Sequence, residues 1–162
     1  TMVKSLPLRD SRVIAFSTHG LVSGELDLVE PALVLTPPRQ GTEHDDGLLT
    51  ASEVAQLKLD AEWVILSACN TAAGAQGLSG LARAFFYAGA RALLVSHWPV
   101  ETTAATALTQ GMFGELKANP GIGRAEALRR SMMALAANDN YAHPKFWAPF
   151  VVVGEGGTAA VN

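Results

Sequence analysis

The architecture of the chain can be worked out from residues 63–71, which read Trp63-Val64-Ile65-Leu66-Ser67-Ala68-Cys69-Asn70-Thr71. Four apolar residues without a polar break, followed by small residues, suit a strand that is covered on both faces, as in a parallel sheet. In open α/β sheets, reacting groups and ligands gather where such strands end at their carboxyl side. Cys69, the one cysteine of the chain, follows this strand end. The pattern therefore predicts an accessible thiol there.

A base for this thiol is predicted at His19. A cysteine needs such a partner because the thiolate attacks, and a neighbouring imidazole lowers the thiol pKa or accepts its proton. His19 follows a second apolar run, which occupies residues 13–18, and Gly20 comes next. Neighbouring strands lie about 4.8 Å apart, so adjacent strands would bring imidazole and thiol together. The backbone N–H groups of Gly20 and Cys69 would then stabilise an oxyanion.

The other histidines leave one competing base. His97 also closes an apolar run and could take the same role, so the residues by themselves leave both histidines open. His143 precedes Pro144 and is expected to shape the turn before the last strand. His44 falls in a polar loop and is expected to be solvated.

Length and composition limit the classes of protein to which the chain can belong. A chain of 162 residues, 49% apolar and 17% charged, is long enough for one domain with a real core. A net charge of −3 argues against a nucleic-acid-binding surface. One cysteine excludes an internal disulfide and a cysteine-based zinc site, and fits a reducing cytoplasm. No apolar run reaches the roughly 20 residues that a membrane span needs, so a cytoplasmic location is expected.

Strands and helices alternate along the chain. Strands are predicted at 13–18, 32–35, 62–67, 92–96 and 150–153, and helices from Thr50, at 77–88, at 102–118 and at 122–137. The strand at 32–35 is expected to form a hairpin with residues 26–28. Thr50 and Glu53 have the spacing of a capping box. The pattern predicts an α/β fold with a mostly parallel sheet and helices on both faces. Residues 1–12 are interpreted as a lead-in, 13–154 as the domain and 155–162 as a tail.

Five segments, in order, resemble the CHAT domain, a caspase-like family of cysteine peptidases related to separases. They are His19-Gly20, Asp46-Gly47-Leu48-Leu49-Thr50-Ala51-Ser52-Glu53-Val54, Leu66-Ser67-Ala68-Cys69-Asn70-Thr71, Gly80-Leu81-Ala82-Arg83-Ala84-Phe85-Phe86-Tyr87-Ala88-Gly89-Ala90 and Trp147-Ala148-Pro149-Phe150. The resemblance extends roughly from His19 to Gly154. It implies a caspase-like three-layer α/β/α sandwich in which His19 and Cys69 form a catalytic dyad. The 50 residues from position 19 to position 69 also match the spacing in caspases.

The resemblance further implies a cysteine endopeptidase that hydrolyses protein substrates without a cofactor or metal. It also implies that strands preceding residue 13 are missing, so the chain is interpreted as the C-terminal part of a larger protein. An open edge on the first strand would favour pairing with that missing portion, with a partner chain, or with a second copy in a homodimer. Without those strands, the isolated chain is expected to be weakly active or inactive.

Further side chains are candidates for binding the substrate, namely Ser17, Ser67, Asp46, Ser96, Trp98 and Glu101. Ser17 and Ser67 lie two residues before His19 and Cys69, so they share their strand faces; close packing of small residues is the alternative. Ser96 and Trp98 lie at the end of the third buried strand, where the resemblance implies a pocket wall. Asp46 and Glu101 could receive a basic side chain, or could simply be solvated.

Two other functions are compatible with the sequence. One is a catalytically inactive module that keeps the fold and binds proteins. The other is phosphate binding by the glycine-rich turn after residue 71 at a helix N-terminus. The chain lacks a Walker A lysine and the third glycine of a dinucleotide fingerprint. Neither nucleic acid nor a membrane is an expected partner.

Overall fold

The computed structural model describes residues 2–42, 45–67 and 80–157. Its strands are β1 (Val13–Phe16), β2 (Gly20–Leu21), β3 (Ala32–Val34), β4 (Leu48–Thr50), β5 (Trp63–Leu66), β6 (Ala92–Ser96) and β7 (Phe150–Gly154). Its α-helices are α1 (Ala51–Gln56), α2 (Gly80–Tyr87), α3 (Thr102–Ala118) and α4 (Arg124–Ala136). Short 3₁₀ helices occupy Met2–Ser5, Leu8–Asp10, Glu25–Asp27 and Pro144–Phe146.

The main sheet has the strand order β1-β5-β6-β7. β1 pairs with β5 and β5 with β6 in parallel, whereas β7 runs antiparallel to β6. This confirms the predicted mostly parallel sheet. Among the described strands, β1 has β5 as its sole neighbour and forms one edge of the sheet.

Helices cover both faces of this sheet. As a result, β5 in the interior of the sheet is buried at every position. Val64 and Leu66 belong to the core on one face, together with side chains of α1 and α2. Trp63 and Ile65 belong to the core on the other face, together with side chains of α3 and α4. The helix residues in these two cores include Val54, Leu81 and Phe85 on the first face and Leu108, Met112 and Leu128 on the second. The three-layer α/β/α arrangement is therefore confirmed.

The predicted hairpin between residues 26–28 and 32–35 is wrong. β3 pairs instead with β2 and β4, in a small antiparallel sheet of order β2-β3-β4. Residues 26–28 do not extend as a strand because Leu26 and Asp27 have φ values of 50° and 60°, which lie in the left-handed region. The small sheet matters for the site because β2 begins directly after His19.

Apart from the predicted start of α2 at residue 77, which lies outside the described residues, the helices begin and end close to their predicted positions. Thr50 and Glu53 form the expected capping box at the start of α1. α3 spans the predicted residues 102–118, and α4 begins two residues after the predicted position 122. α2 is followed by Gly89, whose φ is 108° and where a Cβ would lie 2.3 Å from the Leu59 carbonyl oxygen. A residue with a side chain could not close this turn without moving the backbone.

Candidate active site

The register of β1 on β5 aligns the two segments that carry the predicted dyad. Val13 lies opposite Trp63 and Phe16 opposite Leu66, so each residue of β1 faces the residue 50 positions later in β5. The ladder continues beyond the strands, since the Ser67 N–H donates to the Phe16 carbonyl at 3.0 Å. His19 and Cys69 are separated by the same 50 positions. Cys69 itself lies within residues 68–79, outside the described residues.

His19 is held between the two sheets by its backbone. Its carbonyl accepts a hydrogen bond from the Val34 N–H at 2.8 Å, and the Thr18 hydroxyl donates to the Val34 carbonyl. The next residue, Gly20, already pairs with Leu33 in the small sheet. The backbone of His19 is therefore flanked by β1 on one side and by β2 on the other, while its side chain is exposed.

A cleft of about 240 Å³ opens beside His19 at the carboxyl ends of β1 and β5. Ser17, Thr18 and His19 line it from the β1 side, and Ser67 lines it from the β5 side. The opposite wall comes from Val100 and the start of α3, with the lining residues Val100, Thr102, Ala105 and Thr106. The structure thus brings three of the predicted site residues, Ser17, His19 and Ser67, into one cleft.

The α3 residues that line this cleft are not identified by the sequence pattern. Thr102 and Thr106 are four residues apart and lie on the same side of the helix. Composition and spacing do not distinguish them from any exposed helical threonine. The one available signal is topological, because a helix that follows a parallel strand begins at the edge of the sheet where the strands end.

Trp98 and Glu101 lie near a neighbouring hollow. Five residues line this second hollow of about 380 Å³, namely Pro99, Val100, Glu101, Lys145 and Phe146. The Trp98 indole N–H donates to the Lys145 carbonyl at 3.2 Å, and the Glu101 carboxylate accepts from the Thr103 hydroxyl at 2.7 Å. The described lining of the His19 cleft contains neither Trp98 nor Glu101. Val100 contributes to both hollows.

Ser96 and Asp46 are also absent from the described lining of the His19 cleft. Ser96 is buried at the end of β6, where its backbone pairs with Phe150. The Asp46 carboxylate accepts the Leu48 N–H at 2.8 Å, which stabilises the turn before β4. Asp46 thus has a local structural partner in this loop.

The remaining histidines lie elsewhere. His97 is exposed, donates its backbone N–H to the Pro149 carbonyl at 3.0 Å, and does not belong to the described lining of the cleft. The His143 Nδ1 accepts the Lys145 N–H at 3.1 Å and caps a 3₁₀ helix, which fits its predicted role in a turn. His44, like the turn after residue 71, lies outside the described residues.

The perturbed ionisable groups lie away from the cleft. Glu62 precedes β5, and its pKa is lowered chiefly by the hydrogen bonds that the Arg12 guanidinium donates to it. Glu126 near the start of α4 has its pKa lowered to about 2, first by the hydrogen bond from Arg129 and then by the one from Arg130. The Arg12–Glu62 pair joins the segments that precede β1 and β5, whereas Glu126 and its two arginines lie within α4. They are not part of the site.

The described ranges contain neither a metal-binding cluster nor a membrane-spanning helix. Residues 2–42, 45–67 and 80–157 contain no group of three or more His, Cys, Asp or Glu side chains that could hold a metal ion. No helix in the same ranges has both the length and the apolar character needed to cross a bilayer.

Comparison with known proteins agrees with this geometry. The family model for the CHAT domain matches residues 1–155. Tetratricopeptide repeat protein 28 from Mus musculus and its Homo sapiens counterpart are each 34% identical over 110 residues, or 66% of this chain. The chain spans 4% of the length of these relatives. The chain therefore belongs to the CHAT domain family, a caspase-like family related to cysteine peptidases.

Proposed function

We propose that this domain is a cysteine endopeptidase in which His19 and Cys69 form the catalytic dyad. The observation that carries the proposal is the register of β1 on β5, which joins residues 50 positions apart. Continued from Phe16 and Leu66 for three further residues, that register would set Cys69 opposite His19. Membership of a peptidase-related family supports the same assignment.

The faces of the strands support it as well. Trp63 and Ile65 belong to the core under α3 and α4, and Ser67 opens into the cleft walled by α3. Successive side chains of an extended strand alternate between faces, so an extended chain would direct Cys69 to the side where His19 already lies. An imidazole and a thiol on one side of the strand tips are the arrangement that nucleophilic catalysis requires.

The proposed reaction follows from these positions. His19 accepts the proton of Cys69, and the thiolate sulfur bonds to the carbonyl carbon of the substrate peptide. The backbone N–H groups of Gly20 and Cys69 stabilise the oxyanion that forms. The intermediate collapses by breaking the C–N bond, His19 protonates the departing amine, and water hydrolyses the thioester to release the acid and the thiol.

The substrate would be an extended peptide of another protein, and other regions of a longer chain would regulate the activity. The small share of the relatives that the chain spans fits a domain with extensive flanking sequence. Weak activity of the isolated chain and homodimerisation through the open edge of β1 stay predictions. Peptidase assays and sedimentation of this chain test them.

Alkylation by a peptide probe tests the dyad without requiring turnover. Because the chain has one cysteine, covalent labelling by a peptidyl acyloxymethyl ketone reports on Cys69 alone. We expect His19→Ala to slow labelling about 10²- to 10⁴-fold, as for loss of a general base. His97→Ala is the matched control and should leave the rate unchanged. Equal rates for wild type and His19→Ala, or a loss confined to His97→Ala, would refute the proposal.

A catalytically inactive interaction module is the alternative. It is favoured by the two relatives, which are named as repeat proteins and not as peptidases. Such a module would keep the cleft but would not accelerate the alkylation of Cys69. The rate of probe labelling relative to that of a free cysteine peptide separates the two functions.

A further inference from the structure

Residues that carry a hydroxyl group make up most of the described lining of the cleft beside His19. Its described lining includes five hydroxyl side chains, namely Ser17, Thr18, Ser67, Thr102 and Thr106. The Thr18 hydroxyl already donates to the Val34 carbonyl. The other four make no side-chain hydrogen bond to any described residue, so they are available as donors and acceptors for a bound group.

The described lining of the same cleft offers no fixed charge to a substrate. Of the described residues that line it, His19 is the one titratable side chain. Residues 68–79, which continue the chain from Ser67, contain no Asp, Glu, Lys or Arg. A lysine, arginine, aspartate or glutamate entering this cleft would lose water without gaining an opposite charge, which is costly.

The positive, N-terminal end of the α3 dipole does not make the cleft more favourable for a charged side chain. Carboxylates are favoured at the N-terminus of a helix, and that effect would attract an acidic side chain. Glu101, however, directly precedes Thr102 and already supplies a carboxylate at this end. Glu101 lines the neighbouring hollow and is absent from the described lining of this cleft. Its charge offsets the helix dipole, so the start of α3 favours neither an acidic nor a basic side chain.

Resting on the proposed function, we propose that the His19 cleft receives an uncharged polar side chain of the substrate, such as glutamine or asparagine, next to the cleaved bond. The side-chain amide has both donors and acceptors, and hydroxyls can satisfy each of them. A volume of about 240 Å³ leaves room for such a side chain. An aliphatic side chain would leave the hydroxyls without partners, which lowers its binding.

The test uses four peptidyl acyloxymethyl ketones that differ only in the residue next to the ketone: Gln, Leu, Lys or Asp. In each, the Cys69 sulfur bonds to the methylene carbon while the C–O bond to the carboxylate breaks, and the carboxylate leaves with the electron pair. The measured quantity is the second-order rate constant for labelling. We expect the Gln probe to react on the order of tenfold faster than each of the others. A fastest reaction with Leu, Lys or Asp would overturn the inference.

A pair of charge variants locates the effect in the cleft. Thr102→Asp adds a carboxylate to the cleft wall, at a helix position where acidic residues are tolerated. It should raise the Lys-to-Gln rate ratio about tenfold. Thr103→Asp adds the same charge one residue away, outside the described lining of the cleft, and should leave the ratio unchanged. Equal shifts in both variants, or none in Thr102→Asp, would overturn the inference.

These outcomes are separable from failure of the peptidase proposal. If no probe labels Cys69 faster than a free cysteine peptide, or if His19→Ala reacts like wild type, the peptidase proposal fails and the substrate preference falls with it. If labelling depends on His19 but favours a charged or aliphatic residue, the preference alone is overturned.

Discussion

Two glycines of α3 should respond oppositely to the same substitution. α3 forms one wall of the His19 cleft and packs on α4 in the second core. At Gly114, an added Cβ would meet nothing within 4 Å. At Gly111, it would lie 2.5 Å from the Ser131 Oγ of α4. Ser131 is 2% exposed, so this contact lies in the packed interior between the two helices.

The magnitudes follow from these contacts. Gly→Ala in a helix interior gains about 1 kcal/mol from propensity, and Gly114→Ala should stabilise the fold by about that amount. At Gly111, the Ser131 hydroxyl must move, although it donates to the Leu108 carbonyl at 2.7 Å. Breaking that buried bond or overpacking the contact costs about 1–3 kcal/mol. Gly111→Ala should therefore destabilise the fold by about 1 kcal/mol, a difference of about 2 kcal/mol between the variants.

Urea unfolding followed by far-UV circular dichroism measures both variants. Adding Ser131→Ala to Gly111→Ala removes the oxygen atom that the new Cβ would contact. Ser131→Ala should thus lower the free energy of unfolding by about 2 kcal/mol less in the Gly111→Ala background than in wild type. A coupling energy of that size is within the range measured for residues in contact. If Gly111→Ala is as stable as Gly114→Ala, or if the two changes are additive, the deduced packing of α3 on α4 is wrong.

Two further predictions concern helix starts. Thr50→Ala removes the capping hydroxyl that accepts the Glu53 N–H and should lower the free energy of unfolding by about 1 kcal/mol in chemical denaturation, whereas Thr50→Ser should retain most of it. Glu126→Gln removes the carboxylate whose pKa is held at about 2 by hydrogen bonds from Arg129 and Arg130. Because that pKa is lowered on folding, the stabilisation is present at neutral pH and is lost as the pH falls from about 4.5 to about 2. The difference in melting temperature between wild type and Glu126→Gln should shrink over that window, and a difference that does not vary with pH would contradict it.

The parts of the fold that could be predicted from the sequence are those with strong local patterns. β5 and β6 are continuous apolar runs because both of their faces are buried. α3 has apolar residues at helical spacing, and its predicted bounds are the observed ones. By contrast, β2 and β4 have two and three residues. Such short segments have no measurable periodicity, and their pairing depends on contacts distant in sequence, such as Ala32 with Thr50.

The residues of the site also divide into those that could be predicted from the sequence and those that could not. Ser17, His19 and Ser67 follow strands that could be identified, and the strand ends brought them into one cleft. Thr102 and Thr106 could not be predicted, because their role depends on where α3 crosses the sheet. Asp46 shows the reverse problem, since a loop carboxylate that accepts a local N–H has the same sequence signature as one that binds a ligand.

A disulfide measurement tests the meeting of positions 19 and 69 most directly. His19→Cys adds a second thiol at the position that the proposed dyad sets opposite the one native cysteine. Side-by-side strands have a Cα separation of about 4.8 Å, within the range of about 4.4–6.8 Å for disulfides. Val13→Cys is the control, because Val13 faces Trp63, six residues before position 69, and six residues of extended strand correspond to ~20 Å.

Under mild oxidation, we expect His19→Cys to lose both free thiols within one chain, as judged by alkylation and intact mass, and Val13→Cys to keep them. Two free thiols in oxidised His19→Cys would contradict the dyad.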